Sequence, residues 1–341
     1  MFDANSIKAN AIIDGNDIAA FYNVNANLIN SVSRIYPMLI NPYYFSLIKK
    51  ANDPIWRQAV PNIKELLDDL PDDPLHEEKN SPAPSIIHRY RNRVVLLVTN
   101  KCAMYCRFCT RKRRFNTDVT MRQVDKGLNY IARHKSVKEV IISGGDPLML
   151  CNENLKHILQ KLDAVEHINL IRLGTRMPVT FPMRIDADLI KLLKIKKTIV
   201  VNTHFNHPTE ITELSTKACN MFVENGIPVF NQTVLLKGVN DNYYTLKKLF
   251  ERLIAIKVKP YYLFMTDLVA GNSHFRVPFK KAYEIINKLD ANLGGLAVPK
   301  LMIDLPDGGG KIEIAPNMVV NFSENGVILK NYDGKIFIYP E

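Results

Sequence analysis

From Val94 onward, short β-rich runs alternate with longer amphipathic segments, and this alternation restricts the fold more than any other feature of the chain. The strand candidates are 94–98, 139–143, 169–173, 198–202, 229–235 and 260–264. The helix candidates between them are 122–133, 154–162, 187–193, 210–225 and 244–256. Strands interleaved with helices at this spacing predict a parallel sheet with right-handed crossovers. Periodicity is satisfied equally by an open doubly wound sheet and by a partial barrel. The polar residues suited to chemistry fall at the C-terminal ends of several different strands, which favours the barrel. Upstream, residues 1–85 read as a helical extension, with helical character at 17–22 and 63–70, followed by a Pro- and Asp-rich connector over 68–84. Residues 86–290 form the expected barrel core. Residues 291–341 carry a Gly-rich turn and short strand-like runs at 318–321, 327–329 and 335–339, which reads as a small β-rich cap.

The 341 residues are 47% hydrophobic and 23% charged, as in a soluble enzyme. No apolar run is long enough to span a membrane. The first sixteen residues lack a basic stretch followed by an apolar core, so a cytoplasmic protein is expected. A net charge of +11 makes nucleic acid the first partner to weigh. The sharpest basic run, Arg111-Lys112-Arg113-Arg114, directly follows a cysteine cluster, and no basic segment is interleaved with aromatics as in nucleic-acid modules. A basic enzyme with anionic cofactors, binding neither nucleic acid nor membrane, is the expectation.

Of five cysteines, three fall within eight residues, Cys102, Cys106 and Cys109, directly after the first strand. Such clustering fits metal binding in a reducing compartment better than a disulfide framework. Three soft thiolates suit zinc or an iron–sulfur cluster. Zinc usually takes four ligands, and no fourth Cys or His stands at the usual spacing. A four-iron cluster on three cysteines leaves one iron open to an exchangeable ligand. The C-x3-C-x2-C spacing, with Phe108 before the last cysteine, resembles the signature of the radical S-adenosylmethionine (SAM) superfamily. Ser143, Gly144, Gly145 and Asp146, at the end of the next strand, resemble that superfamily's glycine-rich motif, whose backbone receives the amino group of SAM. Glycine permits the close approach this needs, although tight turns use the same residues.

A second anchor is Asp304-Leu305-Pro306-Asp307-Gly308-Gly309-Gly310-Lys311. A lysine after a flexible glycine run can reach a cofactor, and lysine is the residue that forms a Schiff base with pyridoxal phosphate (PLP). Alone, most such lysines are solvated surface residues. The stretches His88–Val94, the cysteine loop, the Ser-Gly-Gly-Asp turn, Asn202–Pro208, Asn231–Leu236, Pro260–Tyr262 and the glycine run together resemble the lysine 2,3-aminomutase family. The resemblance implies an α/β partial TIM barrel of (β/α)6 type, a [4Fe-4S] cluster, SAM, and PLP on Lys311. It implies that Arg89, Tyr90 and Arg93 hold the PLP phosphate, a task suited to forked guanidinium donors, and that Asn202, His204 and Gln232 contact SAM. It further implies a low-potential electron donor such as flavodoxin or ferredoxin, and a homo-oligomer.

For substrate, the family pattern is an Arg facing the carboxylate of lysine and two aspartates facing its distant ammonium. Arg111 fits the first; Asp267 and Asp304 fit the second. Two carboxylates around one buried ammonium make physical sense, since a single buried pair barely offsets its desolvation. The expected activity is the interconversion of L-lysine and β-lysine by radical 1,2-amino migration. The alternatives are a lysine of elongation factor P or another free diamino acid such as ornithine. Three features depart from the family: the basic run after Cys109 is one residue longer, Asp307 replaces a glycine, and Asn242 stands where some members place a zinc-binding cysteine, so no zinc is expected.

Overall fold

A computed structural model describes residues 7, 9–305, 309–315, 319–323, 326–331 and 334–339. Asp307 lies outside the described residues. Nine strands form one sheet in chain order: β1 (Ile86–Tyr90), β2 (Arg93–Leu97), β3 (Glu139–Ser143), β4 (Leu170–Gly174), β5 (Thr198–Thr203), β6 (Val229–Val234), β7 (Lys259–Phe264), β8 (Lys300–Leu305) and β9 (Gly310–Glu313). The run from β2 to β8 is parallel, whereas β1 and β9 lie antiparallel at the two edges. This is the curled partial barrel that the strand-end polar residues favoured and the family resemblance implied. Strands β10 (Val319–Ser323), β11 (Gly326–Lys330) and β12 (Ile336–Tyr339) make a separate antiparallel sheet.

Two differences from the sequence reading concern the barrel's far side. The parallel sheet has a seventh strand, β8, preceded by the helix Phe279–Asn292. That helix buries Ala282, Ile285, Ile286 and Leu289, an i, i+3, i+4, i+7 stripe visible in the sequence, but it begins at Pro278 without a side-chain cap. Consequently Lys311 stands on β9, within the large sheet, and not on the small C-terminal one. The edges β1 and β9 are linked by a side chain: the backbone N–H of Lys311 donates to the Tyr90 hydroxyl at 3.0 Å.

The five helices expected between the strands are present with ends moved by a few residues, for example Met121–Arg133 and Tyr243–Ala255. Thr120 opens the first with a capping box closed by Gln123, and Val124, Leu128 and Ile131 seat it on the sheet. In the N-terminal extension, Asn25, Asn41 and Asp53 cap the short helices Ala26–Ser33, Pro42–Ser46 and Pro54–Ala59. The helix expected over 63–70 shrinks to a single 3-10 turn, Ile63–Leu66. The Asp68 carboxylate leaves the helical path to accept from the backbone N–H groups of Gly271 and Ser273, and Leu70 precedes a proline that disfavours helix.

Candidate active site

Side chains alternate across each strand, and one parity of every barrel strand faces a single cavity of about 440 Å³. Arg93 and Val95 of β2, Ile141 and Ser143 of β3, Arg172 and Gly174 of β4, Gln232 and Val234 of β6, and Tyr262 and Phe264 of β7 line it. Every site residue expected from the sequence lines the same cavity: Cys102, Cys106, Cys109, Arg111, the 143–146 turn, Asn202, His204, Gln232, Arg89, Tyr90, Arg93, Asp267, Asp304 and Lys311. The arrangement therefore joins residues of β1 and β9 with residues on or just after β2, β3, β5, β6, β7 and β8.

The cysteine loop is gripped from two sides. On one side, β3 ends in a turn whose glycines lie against the backbone leading to Cys102. A Cβ on Gly144, which has φ +141°, would meet the Thr99 carbonyl at 2.1 Å, and one on Gly145 would meet the Lys101 carbonyl at 2.4 Å. The N–H of Gly145 donates to the Thr99 carbonyl, and that of Asp146 to Lys101. The glycines thus pack against the neighbouring loop, and the Gly144 carbonyl lies 3.5 Å from Arg111 Nη1. The Asp146 carboxylate is occupied as well. It accepts from Thr175 Oγ1, Arg176 N and Leu148 N at 2.7, 2.8 and 3.1 Å, so it braces β3 against β4.

On the other side, the N-terminal extension holds the loop. Asn41 Nδ2 donates to the Ala103 carbonyl, Tyr105 N–H to Leu39, and Arg107 N–H to Gln58, while Ile40 and Met104 form an isolated bridge. The fully buried Arg107 forks onto Glu65, and Lys112 reaches the same carboxylate at 3.0 Å. The rest of the basic run is likewise turned to internal acids: Arg111 and Arg113 pair with Glu77, and Arg113 also with Asp73. Residues 1–60 carry no recognisable motif, and sequence reasoning assigned them no role.

The three thiols are half-buried at the cavity wall. Burial, then the charge of Asp146 and of the other thiols, holds Cys102 well above the ordinary thiol range, and burial with Cys106 pushes Cys109 up to about 11. Such thiols ionise readily only with a metal to bind. Among the described residues no three donors converge as around a single ion. Three cysteine thiolates on one loop suit an iron–sulfur cluster. One residue beside them escaped the sequence reading. Arg176, after β4, donates from Nη1 to Cys106 Sγ at 3.0 Å.

At the opposite end, the Arg93 guanidinium lies 4.0 Å from the Tyr90 ring centre, with Arg89 at 5.7 Å. Among the described residues no carboxylate pairs with Arg89 or Arg93, and Nη2 of Arg89 is buried without a partner. Nε of Arg172, which pairs through Nη2 with Glu139, is also buried and unpartnered. Uncompensated guanidinium in a cavity calls for an anion, and a phosphate fits. Lys311 Nζ is 3.3 Å from Asp304 and 3.8 Å from the Phe264 ring centre. Burial draws its amine below the ordinary lysine value despite Asp304, which favours the neutral, nucleophilic form.

Between the two ends lie the polar groups expected for SAM and substrate. His204 is drawn to about 3 by burial and by the charges of Arg176 and Lys311, so its imidazole is neutral. Asn202 Oδ1 is buried with no partner. Burial first, and then the neighbouring Asp304, push Asp267 up to about 7 even though Lys311 and Arg111 pull it down. Arg111 differs from expectation in one respect. Its Nε and Nη2 edge is taken by Glu77 at 2.9 and 2.7 Å, leaving the Nη1 edge near Ser143 Oγ at 3.4 Å. Burial would raise the Glu77 carboxyl, but Arg111 and Arg113 hold it below the usual range. Glu77 belongs to the stretch Asp73–Glu77, which also resembles the family, but sequence reasoning gave it no role in the cavity.

A cysteine loop above the open end of a curled parallel sheet defines a class, the radical SAM enzymes, and residues 96–250 match that superfamily. Residues 286–341, which carry Asp304 and Lys311, match the family described as lysine-2,3-aminomutase. The L-lysine 2,3-aminomutase of Clostridium subterminale is 44% identical over 311 residues, covering 89% of this chain and 75% of its own. That of Methanococcus maripaludis is 45% identical, over 90% and 73%, and the glutamate 2,3-aminomutase of Clostridioides difficile is 37% identical, over 90% and 74%. The chain belongs to the lysine 2,3-aminomutase family of radical SAM aminomutases, and membership in that superfamily implies SAM and a [4Fe-4S] cluster.

Proposed function

We propose that this protein is an L-lysine 2,3-aminomutase that interconverts L-lysine and β-lysine. The observation that carries the choice of substrate is the pair Asp267 and Asp304 on one cavity wall, with Asp267 raised to about 7. Two facing carboxylates are stabilised by an ammonium between them and repel a third carboxylate, so a diamino acid fits and glutamate does not.

Cys102, Cys106 and Cys109 would hold the cluster; Arg89, Tyr90 and Arg93 would hold the phosphate of PLP, with Lys311 as its covalent anchor. The cluster with SAM supplies a carbon-centred radical that removes hydrogen from a carbon, and PLP supplies the conjugated system through which an amino group migrates. The chain's own residues bind and orient. Arg111 offers its Nη1 edge to the substrate carboxylate while Glu77 fixes the guanidinium plane. Asp267 and Asp304 hold the distant ammonium, and once an ammonium arrives Asp267 loses its proton. Lys311 pairs with Asp304 here, and anchoring PLP would take its positive charge away from that carboxylate. His204, neutral at every working pH, can accept or donate without adding charge beside SAM. The buried walls exclude water from reactive intermediates.

The test is anaerobic: protein reconstituted with iron, sulfide and PLP is given SAM, a strong reductant and L-lysine, and products are separated by mass spectrometry. β-Lysine is the expected product, lost in Cys106→Ala and in Lys311→Ala. Turnover of glutamate or ornithine in preference to lysine, or of lysine only within elongation factor P, would overturn the assignment.

A further inference from the structure

Every nitrogen of the Arg176 guanidinium is engaged, and none of the roles above uses it. Its side chain is 8% exposed. Nε donates to the His204 carbonyl at 3.1 Å, and Nη2 to Gln58 Oε1 at 2.6 Å and Glu210 Oε1 at 2.7 Å, with the Tyr44 hydroxyl 3.3 Å away. Nη1 points at Cys106 Sγ, 3.0 Å away. Glu210 is itself fully buried and is held by Tyr44 and by the N–H groups of Asn206 and His207. The guanidinium therefore cannot follow the sulfur if the sulfur moves, and its charge faces the thiol on one edge and a carboxylate on the other.

A hydrogen bond from a fixed cation to a ligand sulfur stabilises the more negative oxidation state of the metal centre beyond it, because the added electron raises the charge on that sulfur. We infer that Arg176, acting through Cys106, is a positioning residue that raises the reduction potential of the cluster, and that Glu210 sets how much of its charge the cluster feels. The inference rests on the three cysteines holding a cluster. The electron balance is simple: the cluster takes one electron from a low-potential one-electron donor, with no bond made or broken at Cys106 and no proton transferred. The anchors Tyr44 and Gln58 come from the N-terminal extension, so the extension sets the electronics of the loop as well as its position.

The two members of the pair should act with opposite sign. Arg176→Gln removes the cation, and the ratio of reduced to oxidised cluster at a fixed solution potential should fall about tenfold, the size of one hydrogen bond to a charged group. Glu210→Gln leaves Arg176 uncompensated, and the same ratio should rise. Arg176→Lys, which keeps charge but loses the fork, should lie between wild type and Gln. The experiment is a redox titration of the reconstituted proteins without SAM, followed by electron paramagnetic resonance of the reduced cluster and normalised to iron and sulfide content. If Arg176→Gln fails to load, Arg176→Lys and Glu210→Gln decide the sign. Loaded variants with unmoved ratios, or shifts of the same sign from both sides of the pair, would overturn the inference and leave the proposed activity standing. A wild-type chain that takes up no iron and sulfide would instead remove the cluster reading and this inference with it.

Discussion

Asp267 carries the clearest pH signature in the cavity. Its carboxyl titrates near 7 in the folded chain against an ordinary 3.8, so between about pH 4 and 7 the folded state holds a proton that the unfolded state has lost. Stability then falls as pH rises through that window, and the deficit is fully present above 7. Asp267→Asn should therefore gain thermal stability over the unliganded wild type as pH climbs from about 4 to 8, by on the order of a few kcal/mol at the upper end. Melting curves at a series of pH values check this, and a gap that does not change with pH would refute it. Toward substrate the sign reverses. The Asn variant lacks the second carboxylate for the ammonium, and KM for lysine should rise at least about thirtyfold, the lower range for truncating one partner of a buried charge pair. Lys311→Ala should abolish the visible absorbance that bound PLP develops with the wild-type protein, which a spectrum of the loaded variant tests directly.

The element that decides whether a cluster can form is the loop 99–109, and its supports are predictable one by one. Gly145→Ala would set a methyl 2.4 Å from the Lys101 carbonyl and 2.6 Å from the Asn100 carbonyl carbon, with backbone on both sides and no flexible side chain to yield. The expected outcome is a chain of near-normal helical content that takes up little iron, read by circular dichroism and iron analysis on one sample. From the other side, Asn41→Ala would leave the Ala103 and Thr180 carbonyls, accepted at 2.9 and 2.8 Å, without their buried donor. The cost should be about 1–3 kcal/mol per orphaned group, visible in denaturant unfolding. These two elements show that the Ser-Gly-Gly-Asp turn has a structural task besides the ligand contact its resemblance implies: its glycines and Asp146 seat the cysteine loop on β3 and β4.

Across the whole molecule, the cavity is closed by contacts between parts that lie far apart in the chain, and one of these is the link from Tyr90 on β1 to Lys311 on β9. Tyr90→Phe removes the hydroxyl that accepts the Lys311 N–H and should weaken PLP retention roughly tenfold, measured by dialysis of the loaded protein. The same length scale separates what could be read from the chain and what could not. Alternation of strand and helix, the spacing of the three cysteines, the paired glycines and the lysine after a glycine run are local patterns, and local patterns survive in a linear reading because backbone periodicity and ligand spacing are set within a few residues. They were enough to predict an alternating α/β sheet and the cysteine loop, whereas the partial barrel and most of the residues that line the cavity were expected from the family resemblance. The seventh parallel strand was missed although its helix showed a regular apolar stripe. Glu77 on Arg111, Arg176 on Cys106, and the grip of residues 36–65 on the loop had no signature at all. Those contacts join residues 34 to 71 apart, and nothing in a single sequence marks which buried charge will meet which. Only the curl of the sheet, which brings strand ends and the N-terminal extension to one mouth, decides that pairing.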